Sequence, residues 1–526
     1  MSARRGCTAA GEGSPAPQPA DRLLVCAAER CVSMKQLRRV HAMLVRHHHR
    51  LRNPSLVLAK LLRFAAVSPG GDLCYAARLL SHGLHCNEIH SGGSAFFYNT
   101  LLRGVAASAD PFRAVSLFKS MLSCCIVLDQ FSFTFLLKAR ARCLSTAPTG
   151  RERGGGSDVH ALALKCGCLA PVVAFLHVHN ALIHVYACGG ISEDATKLFD
   201  EMPEPDVVSW SGLLTAQLTA GDLEAARRIF DRMPVHDVVS WTAMISGYAQ
   251  GGQPRRALAL FKAMPSEVYP DEVTMVGVVS ACAALGDLET GAAVHQYADE
   301  KGFGWMVSLR NALIDMYAKC GCMEKAREVF EATERKTQIT WNTVISAYAV
   351  HGNDEAALQL FRRITTDDDN GLVKPDEATF LAALGACAHS GRVEEGRRIL
   401  ESMDRHGVAP TVEHYGCVVD MLGRAGRLEE AYQLMVGGQM RVPCNHVLWG
   451  ALLGACRIHG NVEMAERAVT ELLRRRPEEG GYYLLLAGIY AAAGRRAEAD
   501  EIRRKMTEGR ARKNPGHSSL CGGAGG

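Results

Sequence analysis

Along residues 307–337 the apolar positions Leu309, Leu313, Ile314 and Tyr317 share one helix face, and after a break Ala326, Val329 and Phe330 do so again. Between the two runs stand Cys320, Gly321 and Cys322, where the glycine can supply a left-handed helix stop. The pattern predicts two helices joined by a tight turn. It then returns along the chain, with glycines at Gly190, Gly221, Gly252, Gly286, Gly321, Gly352, Gly391, Gly426, Gly460 and Gly494, 31 to 39 residues apart. After most of them comes an amphipathic run such as GDLEAARRIF from Gly221. No stretch alternates with the period of a strand. A recurrence of this length means helical hairpins packed on their neighbours, an all-α solenoid offering one extended surface to an extended partner.

Composition adds little to that picture. Of 526 residues, 48% are hydrophobic, ample for a continuous core, and only 6% are aromatic, so small residues must make most helix contacts. No run reaches the roughly 18 apolar residues of a membrane helix, and no membrane partner is expected. A net charge of +4 is nearly neutral for this length, so any basic surface must be local. Nineteen cysteines include no C-x-x-C pair, and Cys282, Cys387 and Cys456 recur at one place in the repeat. Buried free thiols are expected rather than a disulfide framework or zinc, and no cofactor is implied. Residues 1–20 carry Arg4, Arg5 and a single acid, Glu12, which fits either an organellar transit peptide or a disordered tail.

The unit itself separates two families of helical hairpin. Tetratricopeptide repeats would place Trp, Leu-Gly and Tyr on the first helix. This chain instead repeats VVSWTAMISGYAQ from Val238, QITWNTVISAYAV from Gln338 and NALIHVYACGG from Asn180, and closes units on VYPD at Asp271 and VKPD at Asp376. It resembles a plant pentatricopeptide repeat protein of the PLS subclass, whose short and long units alternate. The resemblance implies a right-handed superhelix of about twelve repeats over residues 21–445, with units opening at Ala95, Gln130, Leu176, Val207, Val238, Glu272, Val307, Gln338, Glu377 and Val412. Residues 146–157 and 367–371 read as surface loops. HVLWGALLGACRIHGNVEMAERAVTELLRRRPEE and GGYYLLLAGIYAAAGRRAEADEIRRKM resemble the two E motifs that follow the repeats in one branch, giving residues 446–512 that role. Residues 513–526 form a degenerate glycine-rich tail in which His517 and Ser519 replace the family's Cys and Trp. The H-x-E and P-C-x-x-C of a zinc deaminase occur nowhere in the chain, so it is not expected to be the enzyme.

In that family the first helices read single-stranded RNA one base per repeat, through the fifth and the last residue of each unit. Carried onto this chain, the base-reading pairs are Asn99/Asp129, Asn180/Asp206, Ser211/Asp237, Thr242/Asp271, Asn311/Thr337 and Asn342/Asp376. Phe96, Val208, Val239 and Ile339, at the second position, would wedge between bases. The long units offer Thr134, Val276 and Leu381, which discriminate poorly, and Gly416/Asn445 fits no common pairing. Placing the last short unit over the fourth nucleotide before an edited cytidine gives the expected target U-n-U-G-G-n-Y-U-n-n-n-n-n-C. The implied partners are organellar single-stranded RNA, a DYW-type deaminase acting in trans and editing cofactors, with the E motifs as docking surface through apolar groups at Leu448 to Ala451. A mitochondrial location is favoured over the chloroplast because Arg4 and Arg5 precede any acid. Splicing, stability or translation of a transcript, a protein-interaction scaffold and an inactive paralogue are the alternatives. His47, His48 and His49 point to different sides of a helix and make a poor metal site, while Trp210, Trp241, Trp341 and Trp449 share a position that suits the core. Arg474 to Arg476 suit a helix C-terminus.

Overall fold

The computed structural model describes residues 19–47, 51, 53–85, 94–124, 126–146, 157–169, 175–366, 373–438, 440–475 and 481–508. Among these residues there are 28 α-helices and no strand. The opening helices of successive units include Ser94–Ala107, Gln130–Thr146, Leu176–Gly189, Val207–Ala220, Val238–Gln250, Glu272–Leu285, Val307–Lys319, Gln338–Val350, Glu377–Ser390 and Val412–Arg424. The E-motif region forms two more hairpins, His446–His459 with Val462–Arg475 and Gly481–Ala492 with Arg496–Glu508. The first helix begins at Pro19, inside the stretch expected to be tail. The ends of the first expected loop are helical, Thr146 closing Gln130–Thr146 and Ser157 opening Ser157–Lys165. The rest of that loop, the loop at 367–371, the rest of the tail, His48, His49, Arg476 and the C-terminal glycine-rich segment lie outside the described residues.

All ten recurring glycines take φ between 65° and 83°, a left-handed conformation that stops the opening helix and that a side chain would strain. The returning helix then starts with acids in its first turn, Glu224 in one unit and Glu394 with Glu395 in another, where the helix dipole favours them.

Two compact units divide the chain: residues up to Gly251 with Met264–Val268, and Gly252–Ala263 with the residues from Tyr269 on. Within the first, opening helices pack directly on one another from Pro54–Val67 through to Val238–Gln250. A returning helix such as Ser192–Asp200 fits against the opening helices on both sides of it. The second unit repeats this arrangement from Glu272–Leu285 to His446–His459. Opening helices are therefore apolar almost all round, with Leu213, Leu214 and Ala216 buried together. Returning helices need only one apolar face, as with buried Ala226, Ile229 and Phe230 behind exposed Glu224 and Arg228.

The tryptophans belong to this packing. Trp241 meets Phe230 edge to face at 5.0 Å, and Trp341 meets Phe330 at 5.1 Å. Trp210 meets Phe199 at 4.7 Å but stays half-buried. Each such pair joins a returning helix to the next opening helix and adds about 0.5–1.5 kcal/mol beyond area burial. No disulfide joins any two of the fifteen described cysteines. Burial pushes the thiols of Cys282 and Cys387 up to about 12 and that of Cys456 up to about 11. Cys74, Cys124 and Cys166 are exposed, so the buried-thiol expectation holds at the repeat position and not throughout.

Candidate nucleic-acid interface

Five junctions between units read Asp-x-x-Ser or Asp-x-x-Thr, at Asp129, Asp206, Asp237, Asp271 and Asp376, and there the aspartate caps the helix that follows. Asp206 accepts the Ser209 backbone N–H at 2.8 Å, satisfying one of the amides a helix start leaves without a partner. Asn180, from the preceding opening helix, reaches the same carboxylate: its Nδ2 donates to Asp206 Oδ1 at 3.1 Å. Ser209 Oγ closes the ring, lying 2.6 Å from Asn180 Oδ1 and 2.8 Å from Asp206 Oδ1, so that one hydroxyl hydrogen is shared between them. Two other pairs repeat this triad. Asn99 Nδ2 donates to Asp129 at 2.8 Å, with Ser132 Oγ 2.8 Å from Asn99 Oδ1. Asn342 Nδ2 donates to Asp376 at 2.9 Å, with Thr379 Oγ1 2.6 Å from Asn342 Oδ1.

The triad also sets charge. Burial pushes the Asp206 carboxyl up, but the bonds from the Ser209 N–H, the Ser209 hydroxyl and the Asn180 amide outweigh it and hold the group below the usual carboxylate range. Asp376 behaves alike, burial being outweighed by the Thr379 N–H, the Asn342 amide and the Thr379 hydroxyl. The Asn180 and Asn342 rings thus present a second amide hydrogen of Asn beside an ionised Asp. That donor–acceptor pair matches a base edge on which a carbonyl stands next to a ring N–H.

Ser211/Asp237 and Asn311/Thr337 are built differently. Ser211 is buried, its hydroxyl is unpartnered, and no bond joins it to Asp237, which caps Val238–Gln250 through the Ser240 N–H. Asn311 Oδ1 is likewise buried without a partner, and Thr337 turns to the Thr340 hydroxyl at 3.1 Å. Thr242 is buried, and Asp271 caps Glu272–Leu285, accepting the Thr274 N–H and hydroxyl at 2.8 Å each. Of the long units, Thr134 spends its hydroxyl on the Gln130 carbonyl, and Val276 and Leu381 are half-buried. Asn445 caps His446–His459 and accepts the N–H groups of Val447 and Leu448.

Three residues before each fifth position lies an exposed side chain. Phe96, Val208, Val239 and Ile339 are 56 to 65% exposed although they sit in helices whose other apolar residues are mostly buried. Phe131 and Val273 share this register and exposure in two long units. Sequence reasoning passed over them because it set the long units aside. It also passed over Ser132, Ser209 and Thr379, although the Asp-x-x-Ser/Thr spacing is a helix-start signal. One expectation is corrected: Leu448 and Trp449 offer no apolar surface, because both are buried in the core of their hairpin. Among the described residues there, the exposed large apolar side chains are Val447, Ile458 and Leu484.

Comparison with known proteins agrees with this architecture. A model of the pentatricopeptide repeat matches residues 96–126, 177–206, 208–238, 309–336, 339–368, 378–408 and 413–436. A related repeat-family model matches residues 236–284, and the E motif matches residues 459–520. Among Arabidopsis thaliana proteins, the pentatricopeptide repeat-containing protein At5g56310 is 37% identical over 89% of this chain and 85% of its own length. The Arabidopsis protein CRR2, chloroplastic, is 33% identical over 96% of this chain and 69% of its own. OGR1, mitochondrial, of Oryza sativa subsp. japonica is 35% identical over 93% and 75%. The solved maize pentatricopeptide repeat protein PPR10 aligns over 93% of this chain and 78% of its own, at 18% identity and a TM-score of 0.49. With helical hairpins at the repeat period, capping aspartates at five junctions and relatives matched over most of their length, the chain belongs to the pentatricopeptide repeat family.

Proposed function

We propose that this chain binds organellar RNA as a single strand, base by base, and selects a cytidine for conversion to uridine by a deaminase supplied by another protein. The observation that carries the reading is the triad of Asn, Asp and hydroxyl at Asn99/Asp129, Asn180/Asp206 and Asn342/Asp376. Each sets a donor and an acceptor three residues past an outward second-position residue, aromatic or aliphatic at Phe96 and Ile339. Such a surface can stack a base and question its edge in one step. Ser211/Asp237, Thr242/Asp271 and Asn311/Thr337 supply the other readers. The E-motif match supports the editing role, and the relatives named as chloroplastic and mitochondrial support an organelle. Between the two organelles the reading favours the mitochondrion, on Arg4 and Arg5.

Selection of bound RNA from a random pool tests the binding: it should return U-n-U-G-G-n-Y-U upstream of C, and a pool without enrichment refutes it. Sequencing organellar cDNA from a loss-of-function line tests the editing role, which a fully edited transcriptome overturns. Deleting residues 446–512 should leave RNA affinity nearly intact and abolish deaminase recruitment. A fluorescent fusion of the first hundred residues reports the compartment, and cytosolic signal contradicts it.

A further inference from the structure

The surface that would read bases also carries cations, and they are unevenly distributed. Two helical turns bring a residue back to nearly the same stripe, so position i+7 lies in line with position i. Seven residues beyond the outward second position stand Arg63 after Leu56, Arg103 after Phe96, Lys138 after Phe131 and His184 after His177. All four are exposed. Arg63, Arg103 and Lys138 make no ion pair or hydrogen bond with the described residues.

Further along, the same register holds Thr215 and Ser246, and in the second unit Ser280, Asp315, Ser346, Gly385, Asp420 and Gly454. There the acids consume the nearest cations, Asp315 pairing with Lys319 and Asp420 with Arg424, both at 2.8 Å. Unpaired positive charge on this stripe is thus confined to the first unit.

A cavity of about 460 Å³ connects the row to the reading site. Arg63 and Arg103 line it together with Phe96, Phe131, Asn99 and Asp129. Asp129 forms no ion pair with either arginine and accepts instead from the Asn99 amide and the Ser132 N–H. One cavity therefore offers aromatic walls for a base, an amide and a carboxylate for its edge, and two guanidinium forks beside them.

We infer that Arg63, Arg103 and Lys138 form a phosphate-binding track that anchors the RNA backbone on the first unit, apart from base recognition. The inference rests on the RNA-binding reading above. A guanidinium meets a phosphate bidentately and an ammonium meets it as a point charge, and neither contact reports the base.

The test measures Kd against salt for the full chain by fluorescence anisotropy, using the expected RNA and a version with its U and G positions exchanged. R63A/R103A/K138A is compared with R232A/R255A/K262A, which removes three exposed cations from returning helices. A single strand contributes about 0.7 to the log–log salt slope per phosphate contact, so the track variant should lose about 2 from the slope. It should weaken both RNAs alike and keep their ratio, while the control variant keeps the wild-type slope. R63K/R103K should retain the slope, since the charge remains. The inference is overturned if the track variant keeps affinity and slope, if the control loses as much, or if the ratio between the two RNAs collapses. Wild-type protein that binds neither RNA refutes the RNA-binding reading itself.

Discussion

Replacing Asp206 by Ala and Asn180 by Ala should separate capping from reading, because the two residues share one ring and do unequal work in it. Asp206→Ala removes the cap of Val207–Ala220 together with the acceptor for the Asn180 amide. The cap alone is worth about 1 kcal/mol, and losing a second, charge-assisted bond brings the expected cost to about 2 kcal/mol. Asn180→Ala leaves the Ser209 N–H and hydroxyl on Asp206 at 2.8 Å, so its cost should stay at or below about 1 kcal/mol. Amide hydrogen exchange at Ser209 reads the difference. At about 1.4 kcal/mol per tenfold, exchange should quicken roughly 10- to 30-fold in Asp206→Ala and no more than about 5-fold in Asn180→Ala. Both variants should lose the preference for U eleven nucleotides before the cytidine. Equal acceleration in the two variants, or none in Asp206→Ala, would refute the assignment of the cap to the aspartate.

Gly104→Ala should destabilise the first unit by about 1–3 kcal/mol, since its Cβ would stand 2.1 Å from the Ala66 carbonyl oxygen. Gly385→Ala, with nothing within 4 Å of the new carbon, should instead stabilise by about 0.4–1 kcal/mol; denaturant titration giving both the same sign would contradict the packing. Burial lowers the imidazoles of His41, His160 and His295, which lie 2.7 to 2.9 Å from Tyr75, Tyr186 and Tyr317. The unfolded chain therefore binds more protons below about pH 6.5, and this stability is full above that pH and declines as pH falls further. Denaturation midpoints at pH 7.5 and 5.5 check the sign, and H160Q/H295Q should flatten the difference. Thr242→Asn should move the preference nine nucleotides before the cytidine from G towards U, by about 1–3 kcal/mol. Selected RNAs with no G there, or an unchanged variant, would show the register to be wrong.

The helices were legible because their signals are local. An apolar face at helical spacing and a left-handed glycine suffice to place Val307–Lys319 and its turn without reference to any distant residue. The exposure of Phe96 and Val208 was legible from register alone, through their position in the repeat. The buried state of Leu448 and Trp449 was not. Nothing in HVLWGALL distinguishes an outward apolar residue from an inward one, and packing against Tyr432 and the neighbouring helices decides it. The closure of the three rings was also invisible, because Asn180 and Ser209 are 29 residues apart and meet only when two opening helices pack side by side. Ser211/Asp237 has the same spacing in sequence as Asn180/Asp206, yet it forms no ring. A serine side chain is too short to span the gap an asparagine bridges.

That contrast explains how a helix cap can serve recognition. An aspartate committed to capping is fixed when the chain folds, and an asparagine bonded to it is fixed with it. The entropy of ordering both side chains is then lost during folding and not when a ligand arrives, which favours binding. The geometry also gathers the ring's bonds on one atom: Asp206 Oδ1 accepts the Ser209 N–H, the Ser209 hydroxyl and the Asn180 amide. Asn311 and Ser211 lack this anchoring, and each keeps a buried polar atom without a partner. A ligand there must order the side chain as well as bond to it, so discrimination at those two positions should be weaker than at Asn99, Asn180 and Asn342. On the proposed reading, the stability of the solenoid and the sharpness of its readout rest on the same carboxylates.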